Sequence, residues 1–286
     1  MRDNQDWWLV LVIWGEKYSD EDCNRLIFSA LRHSTHCKGV CVLTDRLDRA
    51  IDSRATMVPF PDDFNRDDFK RSGLPIKICM FDLPKVPEGD VCIYVDLDSM
   101  IVGNLDRLAI LAQKADIWTI DVSPGGFPTC GEIRHRLSGG RYFTAGNSSC
   151  FVFKNRFPDN PTSQFRKLFS AGTLPKRFLH DDRFIGWSCQ QKLRGFPTHL
   201  VSYFRLEFLA PAMWITRLYA IARKQLRQQI IVVTFAGKNT KLEKILATGP
   251  EERIVDHHGR VGHWTNDLTS GMSGKIEAEL LAFENR

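Results

Sequence analysis

The first apolar run of the chain, Trp7 to Trp14 (WWLVLVIW), contains no polar position at all. An unbroken run of this kind predicts a strand buried on both faces. Ser19 then opens a helix, with Asp22 three positions on completing a capping box. Leu26, Ile27, Ala30 and Leu31 give that helix its apolar stripe. Val40 to Leu43 reads as a second buried strand, ending at Thr44-Asp45. Strand, helix and strand in succession predict the opening of a doubly wound α/β domain.

Arg46 to Ser72 is a polar stretch with turn-forming Pro and Asp, followed by a short helix over Leu74 to Leu83. Val91 to Val95 (VCIYV), Asp116 to Asp121 and Cys150 to Phe153 read as three further strands. The Gly-rich segment Pro124 to Gly146 between the last two is long enough to be functional rather than a connector. Asn160-Pro161 predicts a helix with Pro at its first position. Phe165, Leu168 and Phe169 would form its inner face, and Gly172 would stop it. Ala212 to Gln229 is helical in pattern, within a basic segment at about 205–229. Ile230 to Phe235 is a strand, and a Lys-rich turn from Gly237 leads into another helix. With no repeat or linker, the expectation is an α/β protein of one domain, 1–286, built on a mixed central sheet flanked by helices.

Composition narrows the function. The 286 residues carry 39 Lys and Arg against 34 Asp and Glu, with 43% hydrophobic residues, which excludes a disordered, collagen-like or coiled-coil chain. The net charge of +5 is dispersed, and no stripe of Lys and Arg interleaved with aromatics points to nucleic acid. Several of the eight cysteines sit in apolar runs, where a thiol packs as a small hydrophobe. The N-terminal apolar run is too short to span a membrane and lacks a small-residue cleavage site. A cytoplasmic protein with reduced thiols is expected. The basic concentration from Arg217 to Arg227, with Trp214, Ile215, Leu218, Ile221 and Leu226, reads either as a helix packed on the domain or as a peripheral contact with the cytoplasmic face of an anionic membrane.

The sharpest chemical feature is Asp96-Leu97-Asp98, directly after the strand CIYV. In open α/β sheets ligands bind outside the carboxyl ends of strands. Carboxylates two apart on extended backbone share a side, with Cα atoms about 6.5 Å apart, so both could reach one divalent ion. The plainer reading is two solvated Asp residues capping the next helix. His33, His36, Cys37 and Cys41 are zinc-type ligands, but their spacing matches no closed zinc template and a structural role is expected.

The segment CIYVDLDSMIVGNLDRL resembles the metal-binding stretch of GT-A-fold glycosyltransferases, especially the glycogenin-like group (glycosyltransferase family eight) in its bacterial form. VLVIWGEKYSDEDCNRL, VLTD, LPIKICMFDLP, GNSSCFVF, HDDRFIGW and VVTFAGKNTK resemble further segments of that family, in the same order over residues 7–245. The resemblance implies a Rossmann-like GT-A fold, an enzyme moving a sugar from a nucleotide-diphosphate donor, UDP-linked by preference, and a glycan or glycolipid acceptor with a hydroxyl to receive it. It implies that Asp96 and Asp98 hold Mn2+ or Mg2+. Trp14, Tyr18 and Asp45 would line the nucleoside, and Lys77 would approach the donor. Asn147 and Ser148, with Asp181 or Asp182, would face the sugar or acceptor. Gly237, Lys238 and Lys241 would meet the diphosphate. Retention of configuration is favoured over inversion. One position departs from the pattern: the family's late metal-binding His is Thr234 here, or Ala236 in a variant alignment, and neither carries an imidazole. Two other readings compete: a haloacid-dehalogenase-like phosphohydrolase with Asp96 as nucleophile, and a sugar-nucleotide binder without catalysis.

Overall fold

The computed structural model describes residues 5–72, 75–120, 137–138, 146–174, 180–197, 199–203, 229–235, 242, 244, 253–255, 261–263 and 272–286. Most of the Gly-rich segment and the basic stretch Arg217–Arg227 lie outside them, as do Ala236, Gly237, Lys238 and Lys241.

The chain opens with β1 (Trp7–Ile13), α1 (Asp20–His33), β2 (Cys37–Thr44) and β3 (Ala55–Pro59). The predicted capping box forms: Ser19 Oγ accepts from the Asp22 N–H at 3.1 Å, and Asp22 Oδ2 accepts from the Ser19 N–H at 3.0 Å. The polar stretch 46–72 holds two elements its pattern does not announce, β3 and the short helix α2 (Asp67–Ser72). β3 buries only Val58 of its five residues, too few for an alternation to be read. The helix expected over Leu74–Leu83 is a tighter 3-10 turn, Ile76–Phe81, with every residue but Lys77 buried.

β4 (Val91–Val95) leads into β5 (Ser99–Ile101) and α3 (Asp106–Ala109), and β6 (Ile117–Ile120) and β7 (Asn147–Lys154) follow. α4 (Pro161–Ser170) is capped by Asn160 and has Pro at its first turn, as expected. It closes in a Schellman motif, with Gly172 at φ +63° and Thr173 N–H donating to Leu168 O at 3.0 Å. Phe165 is buried, but Phe169 is 38% exposed, so the expected inner face is narrower than drawn. α5 (Asp181–Ser188), β8 (Leu193–Gly195), β9 (Val201–Tyr203), β10 (Val232–Thr234), the hairpin β11 (Arg253–Val255) and β12 (Val261–His263), and α6 (Met272–Glu284) complete the described elements.

Among the described residues the central sheet has the order β3-β2-β1-β4-β7-β6-β8. β1 pairs with β2 and β4 in parallel, whereas β7 runs antiparallel to both β4 and β6. β1 sends Leu9, Leu11 and Ile13 into one core, shared with α1, and Val10 and Val12 into a second. Burial on both faces explains the unbroken apolar run. A small sheet, β5-β10-β9, turns one face to the first core and the other to a third cluster that includes Ile276 of α6. The seven described cysteines are free thiols, and burial pushes Cys23, Cys41 and Cys189 up to about 12.

Candidate active site

β1 and β4 run in parallel and end at one edge of the sheet, where the predicted crevice lies. The Asp-x-Asp motif is built into this edge by backbone bonds on both sides. Asp96 N–H donates to Ser149 O of β7 at 2.8 Å, and Asp98 O accepts from Phe235 N–H, just past β10, at 2.9 Å. Leu97 between them is buried in the first core. The motif is therefore a fixed bridge between the two sheets rather than a solvated helix cap.

Around it the fold gathers residues distant in sequence. Lys77, from the 3-10 turn, donates to Asp96 Oδ2 at 2.6 Å and lies 3.9 Å from Asp181 Oδ2, at the first position of α5. Tyr94 donates to Asp96 Oδ1 at 3.2 Å, and Tyr18 donates to Asp98 Oδ2 at 3.0 Å. Burial pushes both phenols well above their ordinary range, Asp98 then Asp96 adding to it at Tyr18 and Asp96 at Tyr94. Both hydroxyls are thus permanent donors. Burial alone would lower the Lys77 ammonium, but the Asp96 and Asp181 carboxylates outweigh it and hold the ammonium well above its usual range. Burial, and then Asp96, push the Asp98 carboxyl up to about 6. Burial and Asp181 likewise raise Asp182, whose Oδ1 accepts from the Arg183 N–H at 2.7 Å.

The other sequence-predicted residues divide. Asp45 sits at the same edge, but its carboxylate is taken by the Gly15 N–H at 3.1 Å and Arg49 Nη2 at 3.1 Å. Gly15 adopts φ +58° to present that N–H. Trp14 packs against the second core and donates to Lys70 O at 3.2 Å, whereas Tyr18 packs against the first. Asn147 and Ser148 open β7, both half-buried, and Asn147 Oδ1 accepts from the Ser149 N–H at 3.0 Å. His33, His36, Cys37 and Cys41 do not converge: His33 faces Glu279, His36 faces Asp6, Cys37 donates to Gly39 O and Cys41 lies in the second core.

Two residues of the site, Tyr94 and Ser99, carry no prediction from the sequence. Tyr94 stands two before Asp96 on the same strand, so the two-residue period already places it beside that carboxylate. Ser99 and Thr234 face each other across β5 and β10, and both hydroxyls are buried without a hydrogen-bond partner among the described residues. Asp98 Oδ1 is in the same condition. Thr234, where the family resemblance would put a metal-binding His, directly precedes Phe235, whose N–H donates to Asp98 O. Among the described residues no group of three His, Cys, Asp or Glu side chains is placed to hold a metal ion. The orphaned Asp98 oxygen and its carboxylate neighbour nonetheless fit a hard cation that draws its remaining ligands from water and phosphate.

No protein-family model and no curated protein matches the chain. Solved structures do. The apo bifunctional glycosyltransferase WbbM aligns over 96% of this chain at 12% identity with a TM-score of 0.54. The alignment covers 51% of WbbM, so this chain spans about half its length. The galactosyltransferase LgtC, in complex with donor and acceptor sugar analogues, aligns over 82% of this chain and 88% of its own at 11% identity and a TM-score of 0.49. GlyE of Streptococcus pneumoniae TIGR4 aligns over 96% of this chain and 64% of its own at 11% identity and a TM-score of 0.46. The mixed central sheet flanked by helices matches that of WbbM, and the chain has a glycosyltransferase fold of the GT-A kind.

Proposed function

We propose that the chain is a glycosyltransferase that moves a sugar from a nucleotide-diphosphate donor, UDP-linked by preference, to a hydroxyl of a glycan or glycolipid acceptor, with residues 1–286 forming one unit. The observation that carries this reading is the Lys77–Asp96–Tyr94 and Tyr18–Asp98 cluster at the ends of β1 and β4, with one Asp98 oxygen buried and unpartnered. Asp96 and Asp98 would hold Mg2+ or Mn2+, which when bound supplies Lewis-acid neutralisation of the leaving diphosphate. Tyr18 and Tyr94, always protonated, orient the two carboxylates. Lys77 offsets their charge and ties Asp181 to the same point. Asp182, whose carboxyl is raised above its ordinary range by burial and by Asp181, would with Asp181 and Asn147 face the reacting sugar. Gly237, Lys238 and Lys241 would approach the diphosphate. The basic segment Arg217–Arg227 would rest on an anionic membrane surface. Retention is the favoured outcome. Among the described residues no helix is long and apolar enough to cross a membrane.

A phosphohydrolase using Asp96 as nucleophile fits less well, because Asp96 follows the fourth strand, β4, behind a complete strand–helix–strand unit, rather than the first strand. Thermal shift against UDP-, GDP- and CMP-linked sugars, with and without Mn2+, tests the proposal, since a ligand bound only by the native state raises Tm. Selective, Mn2+-dependent stabilisation that Asp98→Asn abolishes is expected. Full transfer activity in Asp96→Asn or Asp98→Asn, or no response to any donor, overturns it.

A further inference from the structure

The opposite edge of the central sheet carries two adjoining cavities that the catalytic reading does not use. β4, β6 and β8 start at this edge and β7 ends there, as the pairings Val91 with Lys154 and Ile117 with Phe153 and Leu193 show. The larger cavity, about 590 Å³, lies between α4 and α5 and is lined by Trp187, Gln164, Gln190, Gln191, Ser163 and Ser188 among others. The smaller, about 260 Å³, is lined by Lys114, Lys154, Arg194 and Asp116. Lys192 lines both. Asp159 and Lys167 add one charge of each sign to the larger cavity.

We propose that these joined cavities form an accessory site for an anionic saccharide, separate from the catalytic cluster. A half-buried indole offers an apolar face to a pyranose, with the exposed Gln191 beside it as amide donor and acceptor, while Gln164, Ser163 and Ser188 spend their donors on backbone carbonyls and keep oxygens that accept from sugar hydroxyls. A neutral sugar has no use for the next cavity, where Lys114, Lys154, Lys192 and Arg194 stand against the one carboxylate of Asp116. Asp116 is itself committed to Lys154 at 2.9 Å, leaving the other cations in excess. A carboxylate or phosphate on the saccharide supplies the missing charge. The site holds a glycan chain away from the reacting end, and to that extent it deepens the proposed transferase reading. Binding there, however, needs neither metal nor nucleotide.

Tetragalacturonate, maltotetraose and inorganic polyphosphate, titrated into the full chain with isothermal titration calorimetry as readout, distinguish the sources of binding. Tetragalacturonate is expected to bind best and to weaken as salt rises. Trp187→Phe and the exposed-face variant Lys192→Gln/Arg194→Gln should each weaken it by about fivefold, while Asp98→Asn leaves it unchanged. Variants are compared only where Tm shows them folded, and Lys154→Gln serves if Trp187→Phe does not fold. No binding of tetragalacturonate, or polyphosphate binding equally well and indifferent to Trp187→Phe, overturns the proposal. Loss of donor binding in Asp98→Asn with tetragalacturonate binding intact separates this site from the catalytic one, and failure of the donor assay alone leaves it standing.

Discussion

Replacing Lys77 by Met keeps the length and apolar stem of the side chain and removes only its charge and donors. In the native protein the Lys77, Asp96 and Asp181 side chains are 12%, 13% and 11% exposed, so solvent screens their interaction little. Two unit charges about 4 Å apart interact by about 4 kcal/mol at an effective dielectric of about 20. Removing one partner of a buried pair strands the other and costs about 3–5 kcal/mol. Lys77→Met should therefore lower the unfolding free energy by about 3–5 kcal/mol at pH 7, measured by urea denaturation in EDTA. Adding Asp96→Asn removes the stranded charge, so the double variant should be more stable than Lys77→Met alone, with a coupling energy above about 1.5 kcal/mol. A loss below about 1 kcal/mol, or a double variant no more stable than Lys77→Met, refutes the view that this lysine holds the acidic cluster together.

Further outcomes are expected elsewhere. Burial would raise the Glu279 carboxyl, but His33, then Ser29 and Arg32, hold it below its ordinary 4.5. Its stabilising share is present above that value and lost as pH falls through the folded one, so Glu279→Gln should narrow its stability gap to wild type below about pH 4.5 in thermal scans. Asp106 accepts from Trp7 Nε1 at 2.7 Å, from the Thr35 N–H and hydroxyl at 3.1 Å, and from the His36 N–H at 3.2 Å. Asp106→Ala should cost about 2–4 kcal/mol by denaturant titration, through donors left unpaired. Thr234→Val replaces an unpartnered buried hydroxyl with a methyl and should raise stability by about 1 kcal/mol. If the hydroxyl serves the cation or donor, Mn2+-dependent thermal shift weakens in the same variant.

What could be read from sequence was local. The capping box at Ser19, the Asn160-Pro161 start and the Gly172 stop each lie within a few residues of the backbone they satisfy, and each forms as expected. β5 escaped because its three residues are too few to show a period. α6 escaped because its inward stripe is Ile276, Glu279 and Phe283, with Leu281 57% exposed. A charge faces in and a large hydrophobe faces out, which blurs the apolar pattern. Glu279 can face in only because α1 brings Arg32 and His33 to meet it. In the same way Asp-x-Asp was legible as a local motif, but Lys77 and Asp181 belong to it only through folding. Pattern alone could not have joined residues about a hundred positions apart, and the family resemblance did.

Strand direction also sorts charge. Asp96, Asp98, Asp181 and Asp182 collect where β4 ends, and Lys114, Lys154, Lys192 and Arg194 where β4, β6 and β8 begin. A five-residue strand separates the two edges by about 17 Å, roughly twice the Debye length of about 8 Å at physiological salt. Exposed charges at one edge therefore do little to the titration of groups at the other. This independence lets one fold keep a cation-seeking cluster and an anion-seeking groove without either cancelling the other. It also makes the two sets of variants informative: neutralising Lys192 and Arg194 should leave Mn2+-dependent donor binding untouched, and a shift in that binding would mean that the edges are coupled through the packed core rather than through the field.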